Sequence, residues 1–328
     1  MNVLRPRRWA HARWVAAVWN PTPGLARRIA GAVCVVLGLV VVTGAAVRLT
    51  GSGLGCPTWP KCTDTDIHSA TDLHGLIEFG NRVLSVVVFL AGILVLAVVT
   101  WRSRRRDLYP YVLGLAAGYA GEAVIGGLSV LTRLDPLIVA LHFLLAIGLL
   151  WVSIVVWRRF GTENVPARPI VRAELRWFGR ALLVGAALVL VLGTLVTGTG
   201  PHAGSRVDNR LPFDRRDITA LHSDAVLLLV GAVAVLLLLL RLTDAPAILR
   251  RRGRILLGTM IGQAGIGFIQ YFTGLPAWLV GVHVAGATLF WVACLLLALD
   301  MWERPVAPEP EARPELVAEP VPAALKTA

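Results

Sequence analysis

Residues 220–240 read Ala-Leu-His-Ser-Asp-Ala-Val-Leu-Leu-Leu-Val-Gly-Ala-Val-Ala-Val-Leu-Leu-Leu-Leu-Leu. An α-helix needs about 20 mostly apolar residues to cross roughly 30 Å of hydrocarbon, and this run has that length. In lipid the backbone must satisfy its own polar groups, which a helix does within one segment. The stretch therefore predicts a transmembrane helix, with a polar residue, His222, near its start.

Seven further runs share this length and character, so the chain is predicted to be an all-α integral membrane protein with eight transmembrane helices. The composition agrees, because 56% of the 328 residues are hydrophobic and only 16% are charged. A soluble domain carries about 25% charged residues. The seven runs are 30–47, 75–99, 111–131, 137–157, 181–199, 255–272 and 277–301.

The basic residues predict the orientation of these helices. Of the 32 Lys and Arg residues, 24 lie in the N-terminal segment, the even-numbered loops and the C-terminal segment, and 7 lie in the odd-numbered loops. By the positive-inside rule, both termini are cytoplasmic. The net charge of +12 thus reflects topology, and we expect no nucleic-acid partner.

Five segments follow from this pattern. Since the basic lead-in is long and the first apolar run can span and stay in the membrane, we expect no cleavable signal peptide. The end of the chain is rich in Pro, Glu and Ala, which predicts disorder. The segments are a cytoplasmic basic segment (1–29), an N-terminal four-helix half (30–157), a cytoplasmic linker (158–180), a C-terminal four-helix half (181–301) and a disordered cytoplasmic tail (302–328).

The two halves resemble each other in sequence. At an offset of 141 residues, segment 122–127 (Glu-Ala-Val-Ile-Gly-Gly) falls on 263–268 (Gln-Ala-Gly-Ile-Gly-Phe), and His142 falls on His283. Val-Thr-Gly at 42–44 matches Val-Thr-Gly at 196–198 with 13 more residues between, which fall in the first odd loop. The sequence therefore predicts two repeated four-helix bundles in parallel orientation.

Histidines lie in or at the edge of several predicted spans: His74, His142, His222 and His283. A single such histidine can simply bond to a neighbouring helix, but ionisable residues in a membrane are by default functional hypotheses. His222 and His283 lie at similar depth in the second half, and two facing imidazoles are natural axial ligands of a haem iron. Zinc is less suited, because further ligands of the right type do not accompany them.

The first half differs at one position. The repeat places Asn81 where a histidine would match His222, so His142 would be the only imidazole ligand of a haem iron there. His74, Glu78 and Asn81 fall on one helical face. Glu78 is a candidate for proton transfer, or a partner of Arg82 one turn later, and both roles can hold.

Charged and sulfur-containing residues complete the candidate site. Arg48 and Arg82 can pair with haem propionates. Cys56 and Cys62 lie in the first odd loop, on the oxidising side, where we expect a disulfide that is either a structural staple or a redox-active pair. The cysteines within helices, Cys34 and Cys294, are expected to be packing residues.

From about residue 28 to residue 302, the sequence resembles the heme A synthase family. The matching motifs are Arg-Leu-Thr-Gly-Ser-Gly-Leu-Gly-Cys-Pro-Thr-Trp-Pro-Lys-Cys (48–62), Ile-Glu-Phe-Gly-Asn-Arg (77–82), Gly-Gly-Leu-Ser-Val-Leu-Thr (126–132), and the pairs Leu-His, Leu-His and Val-His that end at 142, 222 and 283. Asn81 departs from the family, in which many members carry a second histidine in that helix.

This resemblance implies oxidation of the C8 methyl of heme O to a formyl group, which yields heme A for cytochrome oxidase. His222 and His283 would bind a resident haem b as cofactor. His142 would bind the substrate haem near Asn81, His74, Arg82 and Arg48, with Glu78 as the essential acid. The implied setting is the bacterial plasma membrane, with membrane lipid, heme O synthase and cytochrome oxidase assembly factors as partners and a homo-oligomer as an option.

Two other functions stay open on the sequence. One is a quinone-linked di-haem membrane electron-transfer protein, which Glu78 argues against because an electron carrier needs no buried carboxylate beside its haem. The other is a membrane thiol-disulfide oxidoreductase built on the loop cysteines, which the intramembrane histidines argue against.

Overall fold

The computed structural model describes residues 14–67, 72–203 and 210–306. Within these residues, eight helices are long and apolar enough to cross a membrane, which confirms the predicted all-α membrane fold. They are α1 (Pro23–Leu49), α2 (Leu73–Arg102), α3 (Tyr109–Leu131), α4 (Pro136–Phe160), α5 (Ala173–Thr199), α6 (Arg215–Leu242), α7 (Ala247–Phe272) and α8 (Ala277–Leu299). A π-helical turn, Val88–Ile93, interrupts α2.

The helix starts have recognisable local causes. Thr22, Asp72, Asp135 and Asp214 are N-caps of α1, α2, α4 and α6, and the side chain of each accepts a hydrogen bond from a backbone N–H of the first turn. Such caps satisfy donors that the helix itself leaves without a partner. They place the first turn of each helix outside the apolar run that the sequence shows.

The helices form two rings of four. In residues 23–160 each helix contacts the next and α4 returns to α1, and in residues 173–299 α8 returns to α5 in the same way. The rings meet along α1, α4, α5 and α8, where the indole N–H of Trp291 on α8 donates a 3.1 Å hydrogen bond to the carbonyl of Ile147 on α4. The duplication itself stays a prediction.

The turns between the third and fourth helices of each ring have matching backbones. Arg133 and Leu134, between α3 and α4, both have positive φ, and so do Gly274 and Leu275, between α7 and α8. These pairs are 141 residues apart. The matching turns support the predicted duplication, since equal turn lengths keep both helices of a pair in the same register.

Several predicted segment bounds shift in the structure. Both α1 and α5 begin within segments predicted as cytoplasmic, because arginine-bearing turns extend a helix beyond its apolar run and long basic side chains can reach water from there. Residues 302–306, placed in the predicted disordered tail, instead pair with the predicted linker. There β1 (Arg168–Pro169) and β2 (Trp302–Glu303) are antiparallel, and Thr162 bridges Val306. The rest of that tail, His11 and His68 lie outside the described residues.

Candidate functional site

The two histidines of the second ring lie close to each other. His222 is on α6 and His283 is on α8, and the two side chains are near enough to interact electrostatically. Each imidazole faces a glycine of the preceding helix. A Cβ atom built on Gly193 of α5 would lie 3.4 Å from Cε1 of His222, and one on Gly267 of α7 would lie 3.8 Å from Cε1 of His283.

The ring nitrogens of this pair suit iron ligation. Nδ1 of His283 is buried without a hydrogen-bond partner among the described residues, and Nδ1 of His222 is buried beside the backbone of Val189. A histidine that ligates a metal through Nε2 commonly turns Nδ1 to a backbone or carboxylate group. Two imidazoles on facing helices, each against a glycine, fit the predicted haem b. Their role as ligands stays a prediction.

The first ring places His142 in a similar setting. His142 lies on α4, and a Cβ atom on Gly126 of α3 would be 3.2 Å from its Cε1 atom. The next residue, Gly127, faces the ring of Trp59, which leaves 2.6 Å for a Cβ atom. Both glycines of the 126–132 motif are therefore explained by close approach, one to the candidate ligand and one to the first loop.

Asn81 is not oriented as a second ligand by its own contacts. The Asn81 Oδ1 atom accepts a 2.9 Å hydrogen bond from the hydroxyl of Thr43 on α1. An amide whose oxygen is already bonded presents an NH₂ group, which has no lone pair available for iron. His74, two turns earlier on α2, bonds through Nδ1 to the hydroxyl of Ser52 at 2.9 Å, so its Nε2 remains available.

Glu122 was missed by the sequence interpretation. It lies on α3, is 8% exposed, and its Oε2 atom contacts Nδ1 of His142. The signal was present, since Glu122 is a carboxylate inside a predicted span, the criterion that selected Glu78. It was read only as a repeat position, aligned with Gln263.

Glu78 and Arg82 are joined and hold the first loop. Glu78 is 5% exposed, its Oε1 atom lies 2.6 Å from the Arg82 guanidinium, and its Oε2 atom accepts a 2.8 Å bond from the N–H of Cys56. Arg82 also donates to three loop carbonyls, those of Cys56, Thr58 and Lys61. Much of the donor capacity of Arg82 is therefore used within the protein.

The predicted Cys56–Cys62 disulfide is confirmed. Both cysteines are 0% exposed. Thiol–disulfide exchange requires a thiolate to reach a sulfur atom, so this burial favours a structural staple over a redox-active pair. Of the two cysteines within helices, Cys294 is buried and Cys34 is partly buried. The staple, together with Glu78 and Arg82, fixes the loop over the outer end of α2.

Arg48 is placed differently from Arg82. Its Nη2 atom donates a 2.9 Å bond to the carbonyl of Ala203, while its Nε atom is buried without a hydrogen-bond partner among the described residues. It lines a cavity of about 160 Å³ between the first and fifth helix ends, together with Leu134 and His202. A buried guanidinium with a free N–H favours an anionic partner, so Arg48 suits a propionate better than Arg82 does.

Comparisons with known proteins match most of the chain. A family model described as cytochrome oxidase assembly protein, COX15-CtaA, matches residues 27–295. The heme A synthase of Lysinibacillus sphaericus is 34% identical over 171 residues, which cover 49% of this chain and 54% of that protein. The heme A synthase of Symbiobacterium thermophilum is 34% identical over 174 residues, or 49% of this chain and 56% of that protein. The chain thus spans about half the length of the curated relatives it matches.

Proposed function

Because the chain belongs to the COX15-CtaA family of cytochrome oxidase assembly proteins, we propose that it is a heme A synthase that oxidises the C8 methyl of heme O to a formyl group. The observation that carries this proposal is the pair of unequal histidine sites. One ring has two facing imidazoles, His222 and His283, and the other has one, His142, across from an asparagine. This asymmetry suits one resident cofactor and one substrate.

In this proposal, His222 and His283 hold a resident haem b as its axial ligands. When bound, that haem would supply one-electron transfer. The chain contributes the two Nε2 atoms, and the glycines that face the imidazoles, Gly193 and Gly267, let the helices approach closely enough to hold the rings in place. Rigid placement of both ligands is what a low-spin bis-histidine site requires.

Heme O is the substrate of the first ring, with His142 as its ligand. Asn81 leaves the opposite side of the porphyrin without an imidazole from its own position, because its Oδ1 atom is bonded to Thr43. Arg48 would pair with a propionate through its buried Nε group, while Arg82 secures the loop. His74 would serve as a second ligand only for a porphyrin that lies about two turns further out.

Glu78 is proposed as the residue that handles protons while the methyl group is oxidised. It lies one turn before Asn81, and a buried carboxylate near the substrate can accept a proton and pass it on. Its contacts with Arg82 and with the N–H of Cys56 hold it in one place, so the same residue orders the loop and faces the substrate site. A catalytic and a structural role are compatible here.

The protein is a multi-pass bacterial membrane protein, and we further propose that both termini are cytoplasmic. With that orientation, the candidate sites lie toward the outer side of the membrane, with the disulfide loop. A heme O synthase would supply the substrate and cytochrome oxidase assembly factors would receive the product, either directly or through a homo-oligomer.

Expression in a bacterial host that makes heme O but lacks its own heme A synthase tests the proposal. The extracted pigment should contain heme A with the wild-type chain and heme O alone with His142→Ala. His202→Ala is the matched control, since His202 bonds to the carbonyl of Leu275 in a loop and lies outside the proposed haem ligands. A wild-type extract with haem b but no heme A would favour the electron-transfer alternative.

A further inference from the structure

The two repeat-related positions 122 and 263 carry different residues with different contacts. Glu122 on α3 contacts Nδ1 of His142 through Oε2, and its Oε1 atom is buried without a hydrogen-bond partner among the described residues. Gln263 on α7 stands at the same place relative to His283. Its side chain instead lies against Gly286 of α8, and its Oε1 atom is likewise buried without a partner in the described part of the chain.

The difference has a steric cause on the neighbouring helix. A Cβ atom at Gly286 would overlap the amide group of Gln263, so that glycine makes the space that the Gln263 side chain fills. The position 141 residues earlier is Leu145, whose side chain packs at 3.8 Å from a Cβ built on Gly121. With leucine there, the equivalent space is occupied, and the Glu122 carboxylate turns toward His142.

We infer that Glu122 is a positioning residue that makes His142 a stronger iron ligand than His222 or His283. The inference rests on the proposed function. A carboxylate that accepts the Nδ1–H of an imidazole fixes the tautomer with Nε2 free for the metal and increases the electron donation of that nitrogen. The second ring has Gln263 at this position, and its side chain is directed away from His283.

A functional consequence follows for the direction of electron transfer. A more strongly donating ligand favours ferric over ferrous iron, so the first-ring iron would have the lower reduction potential. Electrons released in the first ring, where the substrate methyl is oxidised, would then pass to the second ring without an uphill step. Glu122 and the Leu145/Gly286 difference would thus give two similar rings different roles.

The test is Glu122→Gln in the full chain with both haem sites loaded, followed by reductive titration and resonance Raman spectroscopy. The change preserves shape and removes the charge. We expect the ferric-over-ferrous preference of the first-ring haem to fall about tenfold, which is 59 mV for one electron, and the iron–histidine stretching band to move to lower frequency. The second-ring haem should be unchanged. Glu174→Gln is the matched control, because Glu174 is an exposed carboxylate in the first turn of α5.

A reciprocal variant covers the case in which Glu122→Gln holds too little haem to titrate. Gln263→Glu combined with Gly286→Leu reproduces the first-ring arrangement in the second ring, and it should lower the potential of that haem by a similar factor. Gln263→Glu alone should change it less, since the side chain still has the space over Gly286. Unchanged potentials in both Glu122→Gln and the reciprocal variant would overturn the inference.

The outcomes separate this inference from the proposed function. A wild-type chain that makes heme A, while Glu122→Gln leaves the potential and the stretching band unchanged, overturns the positioning role and leaves the function intact. A chain that makes no heme A, yet shows the shift, supports the positioning role and overturns the function. A first-ring haem whose spectrum is the same in His142→Ala overturns both.

Discussion

Replacing Arg82 by Gln should loosen the disulfide loop strongly. The Arg82 guanidinium lies 2.6 Å from the Glu78 carboxylate and donates to the carbonyls of Cys56, Thr58 and Lys61. Its loss leaves the buried Glu78 carboxylate without its cationic partner and removes the contacts that hold the loop on α2.

The size of the effect follows from burial. Breaking a buried ion pair from one side costs about 3–5 kcal/mol, and an exposed pair contributes about 0–1 kcal/mol. The side chain of Glu78 is 7% exposed and that of Arg82 is 21% exposed, which places this pair near the lower end of the buried range. We therefore expect a cost of about 3 kcal/mol, or about a 100-fold larger population of the opened loop.

The rate of Cys56–Cys62 reduction by a small thiol measures that opening. Both cysteines are 0% exposed, so a thiol reaches the sulfur atoms only when the loop opens. Reduction should be about 100-fold faster in Arg82→Gln than in the wild type. Lys61→Gln is the matched control, because the Lys61 side chain is exposed and only its carbonyl contacts Arg82.

A double-mutant cycle makes the reasoning refutable. In Glu78→Gln/Arg82→Gln no charge is left buried, so the double variant should open less than the product of the two single effects, by a coupling of about 1–3 kcal/mol. Wild-type reduction kinetics in Arg82→Gln, or effects that combine without coupling, would show that the pair does not hold the loop.

Three further changes test the haem sites. His222→Ala or His283→Ala should remove the low-spin b-type spectrum while the protein still inserts, and an unchanged spectrum in both would contradict the ligand assignment. Asn81→His should turn the first-ring haem low-spin by electron paramagnetic resonance, and a wild-type haem that is already low-spin would instead indicate His74. Arg48→Gln should weaken retention of heme O, measured by haem loss in detergent, about tenfold for one charge-assisted hydrogen bond of about 1.5 kcal/mol, and unaltered retention would contradict the propionate role.

The number and order of the helices could be predicted because each apolar run is long and the membrane admits few alternatives. What the sequence hid were the ends of these helices. α1 starts at Pro23 and α5 at Ala173, since N-cap geometry and basic side chains extend a helix where hydropathy falls. The pairing of β1 with β2 was equally hidden, because two-residue strands leave no periodic signal.

The candidate site was predictable only as residue types. Intramembrane histidines and Glu78 stood out because polar groups in lipid are costly, and the repeat related His142 to His283. The contact of Glu122 with His142 depends on which side chain occupies position 145 on the facing helix, which no pattern along one helix reveals. For the same reason, the sequence could not show that Arg82 is engaged by loop carbonyls while Arg48 keeps a free N–H.

The central claim is tested most directly by incubating the purified chain with heme O under reducing and then oxidising conditions and identifying the extracted haem by mass spectrometry. The account predicts heme A from the wild-type protein. Glu78→Gln, with an intact haem b spectrum, should yield unreacted heme O or a hydroxylated intermediate. Unaltered heme O from a wild-type protein that has bound both haems would contradict the claim, and wild-type heme A production by Glu78→Gln would remove Glu78 from the chemistry.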